Sequence, residues 1–215
     1  MLSNYSAAVA ERHPTAATDK FERFTYIAIF FHWGVAALIL ANILIAWQFP
    51  LVHGPLRAAV FQIHKSIGIT VLLLSVLRLA WRMLNPPPPF ANTMRAWEKE
   101  SSKIVERSFY FIMLALPLTG WALSSAADLH VPIVLFGIVH WPDIPLIGTL
   151  PFDTKLGVYS LSVAAHHLLA KITYGLVALH VLAALRHQFI KRDLVLARMI
   201  PSLARPRPFR DLRDY

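Results

Sequence analysis

Four histidines, His32, His64, His166 and His180, lie inside segments that are otherwise almost wholly apolar. An ionisable side chain within a membrane span is costly and marks a functional site by default. His166 and His180 are 14 residues apart, which on an α-helix leaves them within about 40° around the axis and roughly 21 Å apart along it. They share one face at two depths, too far apart to hold a single ion between them. Each needs a partner from another helix. His32 and His180 sit at similar distances from one side of their spans, His64 and His166 from the other, so depth pairs His32 with His180 and His64 with His166. His167 points about 100° away from His166 and is expected in packing or at the interface.

Two imidazoles at one level on facing helices suit the two axial positions of a haem iron, whose in-plane positions belong to the porphyrin. A ligating histidine gives one lone pair to the metal and settles its other nitrogen on a carbonyl or similar acceptor, which answers the cost of burying it. Two pairs predict two haems. The chain has no cysteine, which excludes covalent c-type attachment, thiolate ligation and iron–sulfur clusters. The haems are therefore expected to be haem b. A proton or zinc pathway would place Asp or Glu in the spans, and their central parts carry none.

Helices must position these groups, and the composition supplies them. Of 215 residues, 56% are hydrophobic and 15% charged, outside the range of a water-soluble domain. Four stretches reach the roughly 20 residues needed to cross a bilayer: Thr25 to Phe49, Ala58 to Arg82, Val105 to Ala127 and Ser160 to Gln188. The fold class predicted is all-α, an integral membrane four-helix bundle. It divides into an N-terminal segment 1–24, a transmembrane domain 25–188 and a basic tail 189–215. The apolar run Ile133 to Val139 is too short to span and is expected on the membrane surface, within a proline-rich connection that caps the bundle. Pro117 falls mid-span in the third helix, and four prolines from Pro86 to Pro89 end the second. Residues 1–24 hold no apolar stretch of the kind a cleavable signal needs, so the first span is expected to direct its own insertion.

The net charge is +9, and its placement orients the bundle, because cytoplasmic segments hold the excess of Lys and Arg. Arg12, Lys20 and Arg23 precede the first span; Arg78, Arg82, Arg95, Lys99, Lys103 and Arg107 surround the second connection; the C-terminal end adds eight cations from Arg186 to Arg213. Both termini are expected in the cytoplasm, with the protein multi-pass in its membrane. Cations spread over three segments without a nucleic-acid motif point to lipid headgroups, not to nucleic acid.

Arg78 is 14 residues after His64, which gives it the same helical face at the depth of the inner pair, where it can meet a haem propionate or else snorkel to headgroups beside Arg82. Lys171 lies deeper in its span and is expected at a propionate or an internal cavity. Gly68, one turn after His64, would let a flat macrocycle approach the backbone, and helix packing explains it equally. His53, His130, His140 and His187 are expected at the interface. Lys65 and Arg57 are candidates for attracting an anion at the outer side.

The stretches "FHWGVAALIL", "QIHKSIGITVLLLSVLRLAWR", "LPLTGWALSS" and "HHLLAKITYGLVALHVLAALRHQFIKRDLVLARMIP" resemble the bacterial cytochrome b561 family of four-helix, di-haem membrane proteins over about Arg23 to Pro201. The resemblance assigns axial ligation to His32, His64, His166 and His180, the set that depth and periodicity select. It implies electron exchange with the quinone pool, ubiquinone as acceptor and periplasmic superoxide as a candidate donor, an oxidoreductase activity of the superoxide:quinone type. Two other classes stand beside it: a haem-bearing anchor of a larger dehydrogenase or hydrogenase, and a haem-free transporter. Pigment separates the transporter from both haem readings, and co-purifying catalytic subunits separate the anchor from the self-contained enzyme.

Overall fold

The computed structural model describes residues 23–90, 94–128, 131–193 and 195–203. Arg12, Lys20, His130 and the cations from Arg205 to Arg213 lie outside the described residues. Four helices are long and apolar enough to cross a membrane: α1 (Tyr26–Gln48), α2 (Gly54–Leu84), α3 (Ala96–Ala126) and α5 (Phe152–Leu185), with a single turn α4 (Pro145–Gly148) before the last. This is the membrane four-helix bundle that the composition requires.

Local chemistry sets the ends. Thr25 caps α1 by accepting from the Ala28 amide at 3.2 Å, and the Trp81 indole donates to the same hydroxyl at 3.3 Å, tying the start of α1 to the end of α2. Helices α3 and α5 begin nine and eight residues earlier than their apolar stretches, at Ala96 instead of Val105 and at Phe152 instead of Ser160. Charged first turns carry these extensions: Glu98 accepts from the Arg95 amide at 2.9 Å and closes the N-terminus of α3, and Asp153 lies in the first turn of α5. Pro117 lies within α3, which continues on both sides of it.

Packing follows chain order: α1 on α2, α2 on α3, α3 on α5. Val35, Ile67, Val71 and Met113 form the buried centre, flanked by Phe109 and Tyr110. Helices α1 and α5 meet through side chains, His32 with His180 and Trp47 with Tyr174.

Ile133 to Val139 does not lie flat as one segment. It forms strand β1 (Ile133–Leu135) and a turn, and pairs antiparallel with β2 (Val139–Trp141) in the register Ile133 with Trp141 and Leu135 with Val139. Phe136 and Gly137 at the turn have φ of 51° and 75°, the left-handed values a tight hairpin requires. A lone apolar strand would leave its amides and carbonyls without partners. Here β2 satisfies part of them and α2 the rest: Gln62 donates to the Pro132 carbonyl at 2.7 Å, Lys65 to the Val131 carbonyl at 3.3 Å, and the Phe136 amide donates to the Ser66 hydroxyl at 3.0 Å. Ser66 is fully buried and Ile133 is 2% exposed, so the hairpin is a packed lid on the end of α2.

At the other end, α5 runs into a π-helical turn, Arg186–Lys191, and the chain reverses at Arg192 with φ 51°. The part of the expected tail from Phe189 to Leu203 is thus largely folded against the bundle through two 3₁₀ turns, Leu196–Arg198 and Pro201–Leu203. Glu98, 4% exposed, accepts from Lys191 at 2.7 Å and from Arg186 at 3.0 Å. Trp33 donates to the Met199 carbonyl at 3.0 Å, and Arg198 donates to the Pro89 carbonyl.

Ser66→Ala leaves the Phe136 amide without its acceptor, at a cost of about 1–3 kcal/mol for a buried group. Its expected result is a lower melting temperature together with faster proteolysis within the hairpin, and unchanged cleavage at residues 186–203.

Candidate metal centre

Helix α5 faces α1 at one depth and α2 at the other. The structure brings the imidazoles of His32 and His180 to 6.1 Å between ring centres, with planes at 61°, and those of His64 and His166 to 6.2 Å, with planes at 77°. All four rings therefore meet in pairs across the bundle, one pair toward each end.

Around the His64–His166 pair, His166 Nδ1 lies 3.1 Å from the Leu116 carbonyl oxygen and 3.1 Å from Thr119 Oγ1. Thr119 itself donates to Leu116 O at 2.7 Å. A carbonyl only accepts, so Nδ1 carries the proton and the lone pair resides on Nε2. Gly120, on the same turn of α3, has no side chain for a specific reason: a Cβ there would stand 3.1 Å from His166 Cε1 and 3.4 Å from Nδ1. His64 packs against Phe49 at 5.1 Å between ring centres, and Phe49 stacks on Phe61 at 4.0 Å. His64 Nδ1 is buried without a hydrogen-bond partner.

The His32–His180 pair has a different setting. Arg78 Nη2 stands 3.3 Å from His32 Nδ1, and its guanidinium lies 5.6 Å from the centre of the Tyr110 ring. Arg82, one turn later, pairs with Glu106 of α3 at 2.7 Å. Of the two arginines offered as headgroup anchors, Arg82 is committed to a carboxylate and Arg78 is turned to a histidine. His180 packs edge-on to Phe109 at 5.3 Å.

Several other candidates take up different places. Lys65 is held by the Val131 carbonyl, leaving Arg57, exposed over the Phe61 ring at 5.7 Å, as the freer cation of that end. Lys171 is exposed and has no partner among the described residues. At Gly68 a Cβ would meet Asn42 Nδ2 at 3.9 Å, an ordinary contact, so the packing of the protein's own atoms does not require that glycine. His53 precedes α2 as its cap residue, and His140 and His167 are exposed. His187 is buried, not interfacial: Asp193 lies 2.6 Å from its Nδ1 across the π-turn. Thr119 and Gly120 were not singled out from the sequence; their one signal is a small and a hydroxyl residue placed two and three positions after Pro117 in an apolar span.

Among the described residues no three or more His, Cys, Asp or Glu side chains converge as they would around a bare metal ion. Paired histidines alone suit a metal whose remaining positions are filled by its own macrocycle. The family model for prokaryotic cytochrome b561 matches residues 23–202. The chain belongs to the prokaryotic cytochrome b561 family. Its relatives include cytochrome b561 homolog 2 of Escherichia coli (strain K12), 29% identical over 85% of this chain and 94% of the relative. Cytochrome b561 homolog 1 of the same organism is 30% identical over 83% of this chain and 97% of the relative. The probable superoxide oxidase CybB of Yersinia pestis is 27% identical over 84% of this chain and 97% of the relative. This cytochrome is accordingly a multi-pass membrane protein of electron transfer, and haem b is the cofactor of its family.

Gly120→Ala forces His166 to move by a few tenths of an ångström or more, because the new methyl meets ring atoms and not the end of a flexible chain. The expected outcome is a broadened or diminished reduced b-type absorption relative to the wild type, read by low-temperature difference spectroscopy.

Proposed function

We propose that this cytochrome holds two haem b groups, one between His32 and His180 and one between His64 and His166. It then carries single electrons from a donor at the outer side, with superoxide as the favoured candidate, to the quinone pool, with ubiquinone as acceptor. Both termini face the cytoplasm and the membrane is the bacterial inner membrane on this reading.

The spacing of the rings carries the proposal. His32 with His180, and His64 with His166, would each hold a metal between them, since an imidazole–metal bond of about 2.1 Å is shorter than half of the separation between ring centres. The two pairs stand at 6.1 and 6.2 Å. Edge-to-face aromatic pairs also fall in this range; what favours a metal is that both pairs are histidine with histidine, one toward each end of the same bundle. The outer pair also has its orienting acceptors, Leu116 O and Thr119 Oγ1, already in place.

Haem b held by two histidines supplies a one-electron couple with no vacant coordination position, which suits outer-sphere transfer over oxygen activation. The protein's own residues do the rest. The hairpin on α2 covers the outer end of the bundle, Arg57 offers a positive charge there to an anionic donor, and the folded segment after α5 covers the inner end. The superoxide oxidase named among the relatives supports the choice of donor.

His180→Ala and His64→Ala are each expected to halve the haem per polypeptide of the purified protein and to abolish quinone reduction by superoxide. The wild type should catalyse that reaction without any accompanying subunit. A protein with no reduced b-type bands, or one whose haem content is indifferent to all four histidines, overturns the proposal.

A further inference from the structure

The two histidine pairs are chemically unequal, and the inequality lies at the ring nitrogen that would point away from the metal. In the outer pair this atom, His166 Nδ1, donates to Leu116 O and Thr119 Oγ1. Acceptors on the N–H push electron density onto the imidazole, make it a stronger ligand and favour the more positive, oxidised metal. In the inner pair the corresponding atom, His32 Nδ1, faces the Arg78 guanidinium at 3.3 Å. A guanidinium has only donors and does not lose its proton in a protein, so in this contact it donates to His32 Nδ1; were His32 to give its Nε2 lone pair to a metal, Nδ1 would carry the proton and Arg78 would offer it no acceptor. It also places a unit positive charge beside the ligand, which disfavours further positive charge on the metal.

Among the described side chains of the protein, none cancels this charge. From α2, Arg82 adds a second cation, and from α3, Glu106 neutralises that one at 2.7 Å. Tyr110 offers both arginines a ring face, at 5.6 and 5.8 Å. Phe109 on α3 and His180 on α5 bring no carboxylate, and Arg78 has no carboxylate partner among the described residues.

We infer that Arg78 and the Thr119–Leu116 acceptors are positioning residues that split the two haem potentials. Arg78 raises that of the His32–His180 site, and Thr119 with the Leu116 carbonyl lowers that of the His64–His166 site. The electron then resides preferentially at the inner pair, the downhill sense for a donor that arrives outside. This inference rests on the two-haem reading.

Potentiometry of the purified full-length protein, followed by absorption, tests it. The component lost in His180→Ala marks the inner site and the one lost in His64→Ala the outer. The inner component is expected at the higher potential. Arg78→Leu and Arg78→Gln should lower it by a factor of at least about ten in its reduced-to-oxidised ratio, which is about 59 mV for a one-electron couple. Arg78→Lys should restore most of the shift, which a purely structural role would not require. Thr119→Val should raise the outer component and leave the inner one in place. The inference is overturned if the outer component is the higher, or if the neutral Arg78 variants leave the inner component where it was or move the outer one instead. Absence of b-type bands from the wild type removes the two-haem reading itself, an outcome distinct from bands whose potentials ignore Arg78.

Discussion

One stripe of α5 has to meet two different helices at two depths. Because 14 residues bring a side chain almost back to its starting angle, His166 and His180 present the same face to α2 near one end and to α1 near the other. The same α5 also meets α1 through Trp47 and Tyr174, while Val35 of α1, Ile67 and Val71 of α2 and Met113 of α3 form the packed centre.

The ends of the bundle are finished by unlike devices that serve one purpose. Backbone polar groups near the bilayer must find partners within the protein. At the outer end a three-residue strand pair leans on Gln62, Lys65 and Ser66 of α2. At the inner end a π-turn and two 3₁₀ turns are clamped by Glu98, with Trp33 holding Met199. Trp33 follows His32 directly, and their rings lie 5.3 Å apart, so the inner closure and the inner pair are mechanically one unit.

Much of this was legible in the chain. Four spans and the depth pairing of histidines follow from run length, helical period and distance to the span ends, and all three are local or one-dimensional quantities. The helix limits were legible only where apolarity and helix coincide; the first turns of α3 and α5 are helical through capping and charge, outside any hydrophobic stretch. Arg78 and Arg82 were indistinguishable because the carboxylate that separates them, Glu106, comes from another helix. Gly120 was silent for the same reason: its missing Cβ matters only once α5 lays His166 against α3. The short apolar run between prolines gave no sign of being held by α2, since Gln62 and Ser66 lie about 70 residues away in the chain.

Glu98 is joined to Arg186 and Lys191 across 88 and 93 residues of chain. At 5–20 residues per second of synthesis, the carboxylate leaves the ribosome roughly 5 to 20 s before its cations do. Over that interval α3 and then α5 are made, and the clamp on Glu98 cannot close until Arg186 and Lys191 arrive. One end of the bundle is thus secured only after all four long helices have been synthesised.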